Sequence, residues 1–434
     1  MANLQTEPNF LESCMFTKIF QTFRLSIHPS KLVIAFGAIA IIAVAGTLMD
    51  IAKTVVVRPD TNGKVTELQI YMHNPDNVKT FIQNNKGLEK GRGVFSVLWS
   101  FAAERFEGTV DSLLRLNFPG AVENIAQYTT AVCWAFRHHM VYCAIFGIIK
   151  LIVICIAGGA ICRISALQFA LGEKPGISDA ILYSLKKFPS FAAAPLAPIG
   201  ISLCLGVFIF LIGLFGNIPR AGELIVAIGL PLALVAGTLI AIVLIGTIGG
   251  FNLMFPALAY DGLDCFDAIS RSFNYVYSKP WRMGFYTALV SVYGAICYIF
   301  VRFFAFLMLY STHWALRLGV FVKSSGGMNK IDTIWPQPEF SNLITAQTDA
   351  AIWSESAGAF IIYLFVLVVL GLVMAFLLSF YFSANTIIYA LMRSRVDNTP
   401  LDEIHITEEK IESLQPDSEK SASQDKTEPL DSGQ

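Results

Sequence analysis

Leu224–Ile248 reads LIVAIGLPLALVAGTLIAIVLIGTI, a run of apolar and small residues with no charge in it. The hydrocarbon core of a bilayer, about 30 Å thick, is crossed by roughly 20 apolar residues in a helix. Lipid offers the backbone no water, so such a run must close its hydrogen bonds internally. Five other runs have the same character: Leu32–Leu48, Val141–Ile161, Phe191–Phe215, Met283–Leu309 and Ala357–Phe382. The period-two alternation of a membrane barrel is missing from them. With 434 residues, 55% hydrophobic and 15% charged, and a mean hydropathy of +0.59, the composition excludes an ordinary soluble domain. The expected fold is all-α, a polytopic transmembrane helical bundle of about six spans.

Between the runs a short phrase occurs twice. Asp179-Ala180-Ile181 is followed by Ser184-Leu185, and 88 residues later Asp267-Ala268-Ile269 is followed by Ser272-Phe273. Each copy lies in a linker between two spans, which predicts two central parallel helical-hairpin repeats. A carboxylate near the start of a short helix meets the favourable end of its dipole. Asp179, Ser184, Asp267 and Ser272 therefore read most simply as a structural elbow. Downstream, Lys186-Lys187-Phe188-Pro189 and Lys279-Pro280-Trp281-Arg282 form basic, aromatic exits.

The expected organisation is an amphipathic segment (1–30), a first span (31–51), a partly structured outer loop (52–140), the duplicated four-span core (141–311), a second outer loop (312–356), a last span (357–393) and a disordered acidic tail (394–434). Glu7 and Glu12 make a poor signal-peptide n-region, so the first run is expected to be a retained anchor. Phe10, Leu11, Met15, Ile19 and Phe23 recur at helical spacing. Two readings fit them, a helix lying on the membrane surface or a tail packed against the bundle. In the long loop, Thr54–Val57 and Glu67–Met72 look like strands around an Asn62-Gly63 turn. Val94–Leu116 and Ala121–Phe136 look helical, and charges such as Glu104, Arg105 and Glu123 keep them from crossing. From Val396 onward there are eleven acidic residues against three lysines, so this stretch carries −8 and, in a chain of net charge −1, the remainder carries +7. Such a composition predicts disorder, with room for a brief helix at Thr399–Glu403, where Pro400 would take the first position.

Basic residues near span ends number twelve on the side of the N-terminus and eight opposite. Positive charge stays inside, so both termini are expected in the cytoplasm of a cell whose inner membrane holds the protein. None of the eight cysteines falls in a CxxC pair, and most read as small apolar core residues.

Little chemistry is written in the chain. Lys150 stands near the middle of the second run, where an ionisable residue is a functional candidate. If the helix began earlier, around Tyr128, the same lysine would simply snorkel to the inner headgroups. Arg302 lies within reach of the outer interface, with Glu223 and Glu355 as candidate partners. Gly229, Ala233, Gly237 and Ala241 fall every four residues and form a smooth stripe for close helix packing. His138-His139 share no helical face and have no third ligand at metal spacing. Phosphate-loop, dinucleotide, HExxH and GxSxG signatures are absent.

At the linkers, Pro256, Gly262, Asp267, Ala268, Ser272 and Trp281, and more loosely Gly176, Asp179, Ala180 and Ser184, form an outline. It resembles the bacterial multi-pass families that include the membrane domain found beside glycerophosphodiester phosphodiesterase domains. The resemblance implies architecture and no hydrolase activity, since no such domain is attached here. The expected function is that of a non-enzymatic membrane protein, a scaffold or accessory subunit. The alternative is a transporter or permease component for a solute or lipid. Neither catalytic residues, a cofactor, a metal nor a nucleic-acid partner is expected; the bilayer is, together with a protein partner or a second copy of the chain.

Overall fold

A helix of 40 residues is about 60 Å long, twice the thickness of the hydrocarbon it has to cross. That excess shapes this molecule. The computed structural model describes residues 15–52, 54–60, 63–85, 91–322, 329–340, 343 and 353–405. Among the described residues six helices are long and apolar enough to span a membrane: Pro29–Met49, Met140–Ala170, Phe188–Phe215, Gly222–Asp261, Pro280–Gly319 and Trp353–Val396. The protein is an all-α polytopic helical bundle, an integral membrane protein. Alternation along the chain puts Pro29, Ala170, Phe188, Asp261, Pro280 and Val396 at one end, which we call the basic end, and the described residues between 54 and 139 at the other, the loop end.

Burial is concentrated at the basic end. Residues 157–167, 253–260 and 382–393 are buried without interruption and pack as one cluster with Phe191, Ala268 and Tyr275. The third and fourth spans are covered far less, and just 6% of their most apolar windows is buried. Lipid tails are as apolar as leucine, so helices in the bilayer gain nothing from hiding such side chains. The buried lengths lie at the basic-end tips of the apolar runs or beyond them, where water is near and the hydrophobic effect can act.

The long loop has a core of its own. Trp134, Leu68, Val55 and Val78 are buried in one cluster. Its two long helices, α1 (Val94–Leu114) and α2 (Phe118–His138), run antiparallel and are separated from the second span at His139. The strands differ from the expected ones. β1 (Val57–Asp60) pairs with β2 (Gly63–Thr66) in an antiparallel hairpin, and Glu67–His73 is a helix. Its start carries a capping box, with the Gln69 N–H donating to Thr66 Oγ1 and the Thr66 N–H to Gln69 Oε1 at 2.9 Å. Thr-x-x-Gln is the sequence signature of a helix start, and it outranks the strand-like composition after it.

At the N-terminus, Ile19 and Leu25 belong to the main core. The rings of Phe16, Phe20 and Phe23 pack edge-on against Phe285, Tyr293 and Phe300 of the fifth span. Of the two readings the packed tail is the one observed; residues 1–14 lie outside the described residues. Beyond the sixth span, residues 397–405 form a turn and a short strap across the basic end where disorder was expected, and Thr399–Glu403 is not helical. Residues 406–434 lie outside the described residues.

Candidate functional site

The two linker helices, α3 (Ile177–Lys186) and α4 (Cys265–Ser278), show what the repeated phrase does locally. Asp179 and Asp267 stand exposed in the first turns, and Ser184 and Ser272 are fully buried. Each serine faces a glycine of the preceding span. A Cβ on Gly159 would come within 2.6 Å of Ser184 Oγ, and one on Gly250 within 3.3 Å of Ser272. Small residues on both sides let helix and linker approach closely. The Ser272 hydroxyl donates back to the Ala268 carbonyl at 2.7 Å. These four residues do not converge on one site.

The packing stripe divides as well. Gly229 lies under Ile212 of the third span, whereas open space surrounds Gly237 and Ala241 is exposed. Further along the same helix, Gly246 and Gly249 receive Phe273 and Val276 of α4. Arg302 is paired with Glu107 of α1 at 2.9 Å and lies over the Phe340 ring.

Lys150 is placed quite differently. The second span begins at Met140, not near Tyr128. Gly158 rests against the Phe382 ring, at the level where the apolar run of the sixth span ends. Eight residues at 1.5 Å each put Lys150 about 12 Å farther toward the loop end. It lines a partly open cavity of about 770 Å³ bordered by the first, second, fourth, fifth and sixth spans and by α1 and α2. Phe95, Trp99 and Phe106 of α1 and Phe146 of the second span make its walls largely apolar. Toward the basic end the Tyr381 hydroxyl donates to Asn252 Oδ1 at 2.5 Å. Among the described residues, none forms a hydrogen bond or ion pair with the Lys150 ammonium. α1 is held in place by Asp50 at the end of the first span, whose carboxylate accepts from the Phe95 and Ser96 N–H groups at 2.9 and 2.8 Å.

A second set of polar groups closes the basic end, and sequence reading had not assembled it. Asp261 ends the fourth span with its side chain only 6% exposed. It accepts from Arg271 Nη1 at 2.8 Å and from the Tyr389 hydroxyl at 2.5 Å. Arg393 Nε stands 3.2 Å away as an ion-pair partner, without the alignment of a hydrogen bond. Arg393 also donates to the Glu403 carbonyl, at 2.6 Å. The strap is tied down further by Tyr275 to Asp397 at 2.5 Å and by the His405 N–H to the Tyr260 carbonyl at 3.0 Å. Burial, and after it the Asp397 hydrogen bond, push the Tyr275 phenol well above its ordinary range, which keeps it a donor. Asp261-Gly262 after a long apolar helix is a C-terminal stop signal, the one hint of this network in the sequence.

Among the described residues no cluster of His, Cys, Asp or Glu has the make-up of a metal site. No family model, curated protein or solved structure matches this chain.

Proposed function

We propose that this chain is a non-enzymatic membrane protein that takes an amphipathic acidic molecule, a lipid or lipid-like solute, into its intramembrane cavity. The observation that carries this reading is Lys150, a cation without a bonding partner among the described residues, on the wall of a cavity of about 770 Å³ and inside an apolar run of spanning length. A charged side chain within such a run costs about 3 kcal/mol or more unless something neutralises it. An acidic head group supplies the missing charge, and apolar walls of this size suit a chain. Purification in mild detergent followed by native mass spectrometry tests the idea. The wild type is expected to retain an acidic lipid, Lys150→Arg to keep it, and Lys150→Leu to lose about nine-tenths of it, the consequence of one charge-assisted contact. Equal retention by the wild type and Lys150→Leu would remove the reading.

A scaffold reading rests on a separate observation, the third and fourth spans, whose most apolar windows are just 6% buried. Ala241→Cys, exposed on that hairpin, is expected to cross-link to a second copy or a partner in membranes. Its failure to cross-link to any protein would count against a scaffold.

A further inference from the structure

Below the membrane-level cavity, at the basic end, lies another of about 760 Å³, bounded by the second span, the 171–176 turn, α3 and the strap. Gly172 at φ +72° turns the chain back on itself, and Pro175-Gly176 then starts α3, so Lys174 is carried to the rim. Lys186 and Lys187 enter the same cavity from the other end of α3. Its inner wall is Arg163, 5% exposed. The Arg163 guanidinium donates to the carbonyls of Ala259 at 2.9 Å and His405 at 2.8 Å and stacks on the Tyr183 ring at 4.5 Å. Lys187 likewise donates to a carbonyl, that of Gly262, at 2.9 Å. Carbonyls satisfy these hydrogen bonds without supplying a full counter-charge, and the Glu173 carboxylate acts on Arg163 only through space. Two carboxylates, Glu173 and Asp179, also line the cavity, and Lys186 has a further interaction of its own, so among the described residues its positive character rests on Arg163, Lys174 and Lys187.

A buried cation whose direct partners are neutral is stabilised by an anion nearby. The positive field reaches His28 beside the first span, whose pKa is lowered by burial and then by Lys31 and Lys174. Leu182 and Leu185 on α3 are about half exposed, at 51% and 49%, as expected of a helix dipping into the headgroup layer. The cavity therefore stands at the height of lipid phosphates and is also open to the water beyond them.

We propose that this cavity is a phosphate-group site, with Lys174 and Lys187 as point-charge ligands and Arg163 as the fixed positive wall. It is independent of the Lys150 cavity and of any reading placed on it. The group comes either from the headgroup of an adjacent anionic phospholipid or from phosphate free in solution.

The full chain in detergent, titrated with inorganic phosphate against a chloride control, tests the second source through its thermal stability. The full chain in nanodiscs of phosphatidylcholine with phosphatidylglycerol, followed by native mass spectrometry, tests the first. Lys174→Gln with Lys187→Gln is expected to weaken binding by about tenfold. Lys174→Gln alone, at an exposed side chain without structural bonds, guards against misfolding and is expected to give a smaller loss in the same direction. Loss confined to inorganic phosphate assigns the site to a free ligand, and loss confined to phosphatidylglycerol assigns it to the lipid. Loss of both assigns it to the phosphate group itself. If both variants bind both probes as the wild type does, or if the wild type binds neither, the proposal is overturned.

Discussion

Replacing Asp261 by Asn keeps the shape of the side chain and removes one charge from the centre of the basic end. Two cations lose their counter-ion, and their exposures differ. The Arg271 side chain is 41% exposed and is hydrated instead, so its share is about 1 kcal/mol or less. The Arg393 side chain is 8% exposed and among the described residues keeps only Glu403, an anion that is itself 63% exposed. Breaking a buried pair by removing one member costs about 3–5 kcal/mol. We place Asp261→Asn near the lower end, about 3 kcal/mol, because Glu403 remains and Asn still accepts from Tyr389. Against a typical total of about 5–15 kcal/mol, that is a large fraction. Denaturant unfolding in mixed micelles measures it. A cycle with Arg393→Met separates the pair from the rest, since the double variant should recover part of the loss. A cost for Asp261→Asn under about 1 kcal/mol, with no coupling to Arg393→Met, would refute the argument that this pair is electrostatically buried.

Other outcomes follow from the same geometry. Gly262 has φ +63° and faces the His405 ring, which a Cβ would approach to 2.3 Å. Gly262→Ala should therefore cost about 1–2 kcal/mol and expose residues 397–405 to protease, and an unchanged cleavage pattern would contradict the strap. Asp50→Ala removes the cap of α1 and should cost about 1–2 kcal/mol, visible as faster amide exchange at Phe95 and Ser96 and not in α4. The Tyr275 phenol holds its proton more tightly in the folded chain than at its ordinary value of 10.0. Its contribution is complete below that value and is lost as pH climbs past the raised one. Strap protection should then fall in strong alkali for the wild type and show a flatter profile for Tyr275→Phe.

Much of this architecture is a local property of the chain. A bilayer makes each crossing segment satisfy its own backbone, so a run such as Leu224–Ile248 declares itself without any neighbour. The same holds for Val94–Leu114, with helical spacing and too many charges to cross, and for the Thr66-Glu67-Leu68-Gln69 box, where a legible signal was outweighed by strand-like residues. What tertiary structure alone decided is which side chains meet. Asp261 and Arg393 are 132 residues apart and Asn252 and Tyr381 are 129 apart, and no spacing rule joins them. Their meeting depends on helix crossing angles and on how far each helix runs past the hydrocarbon. The setting of Lys150 is the intermediate case. Composition put a lysine inside a span, while the helix start at Met140 and the packing of the neighbouring helices set it on the wall of a cavity. Hydropathy is read one segment at a time, whereas a binding site is a relation between segments.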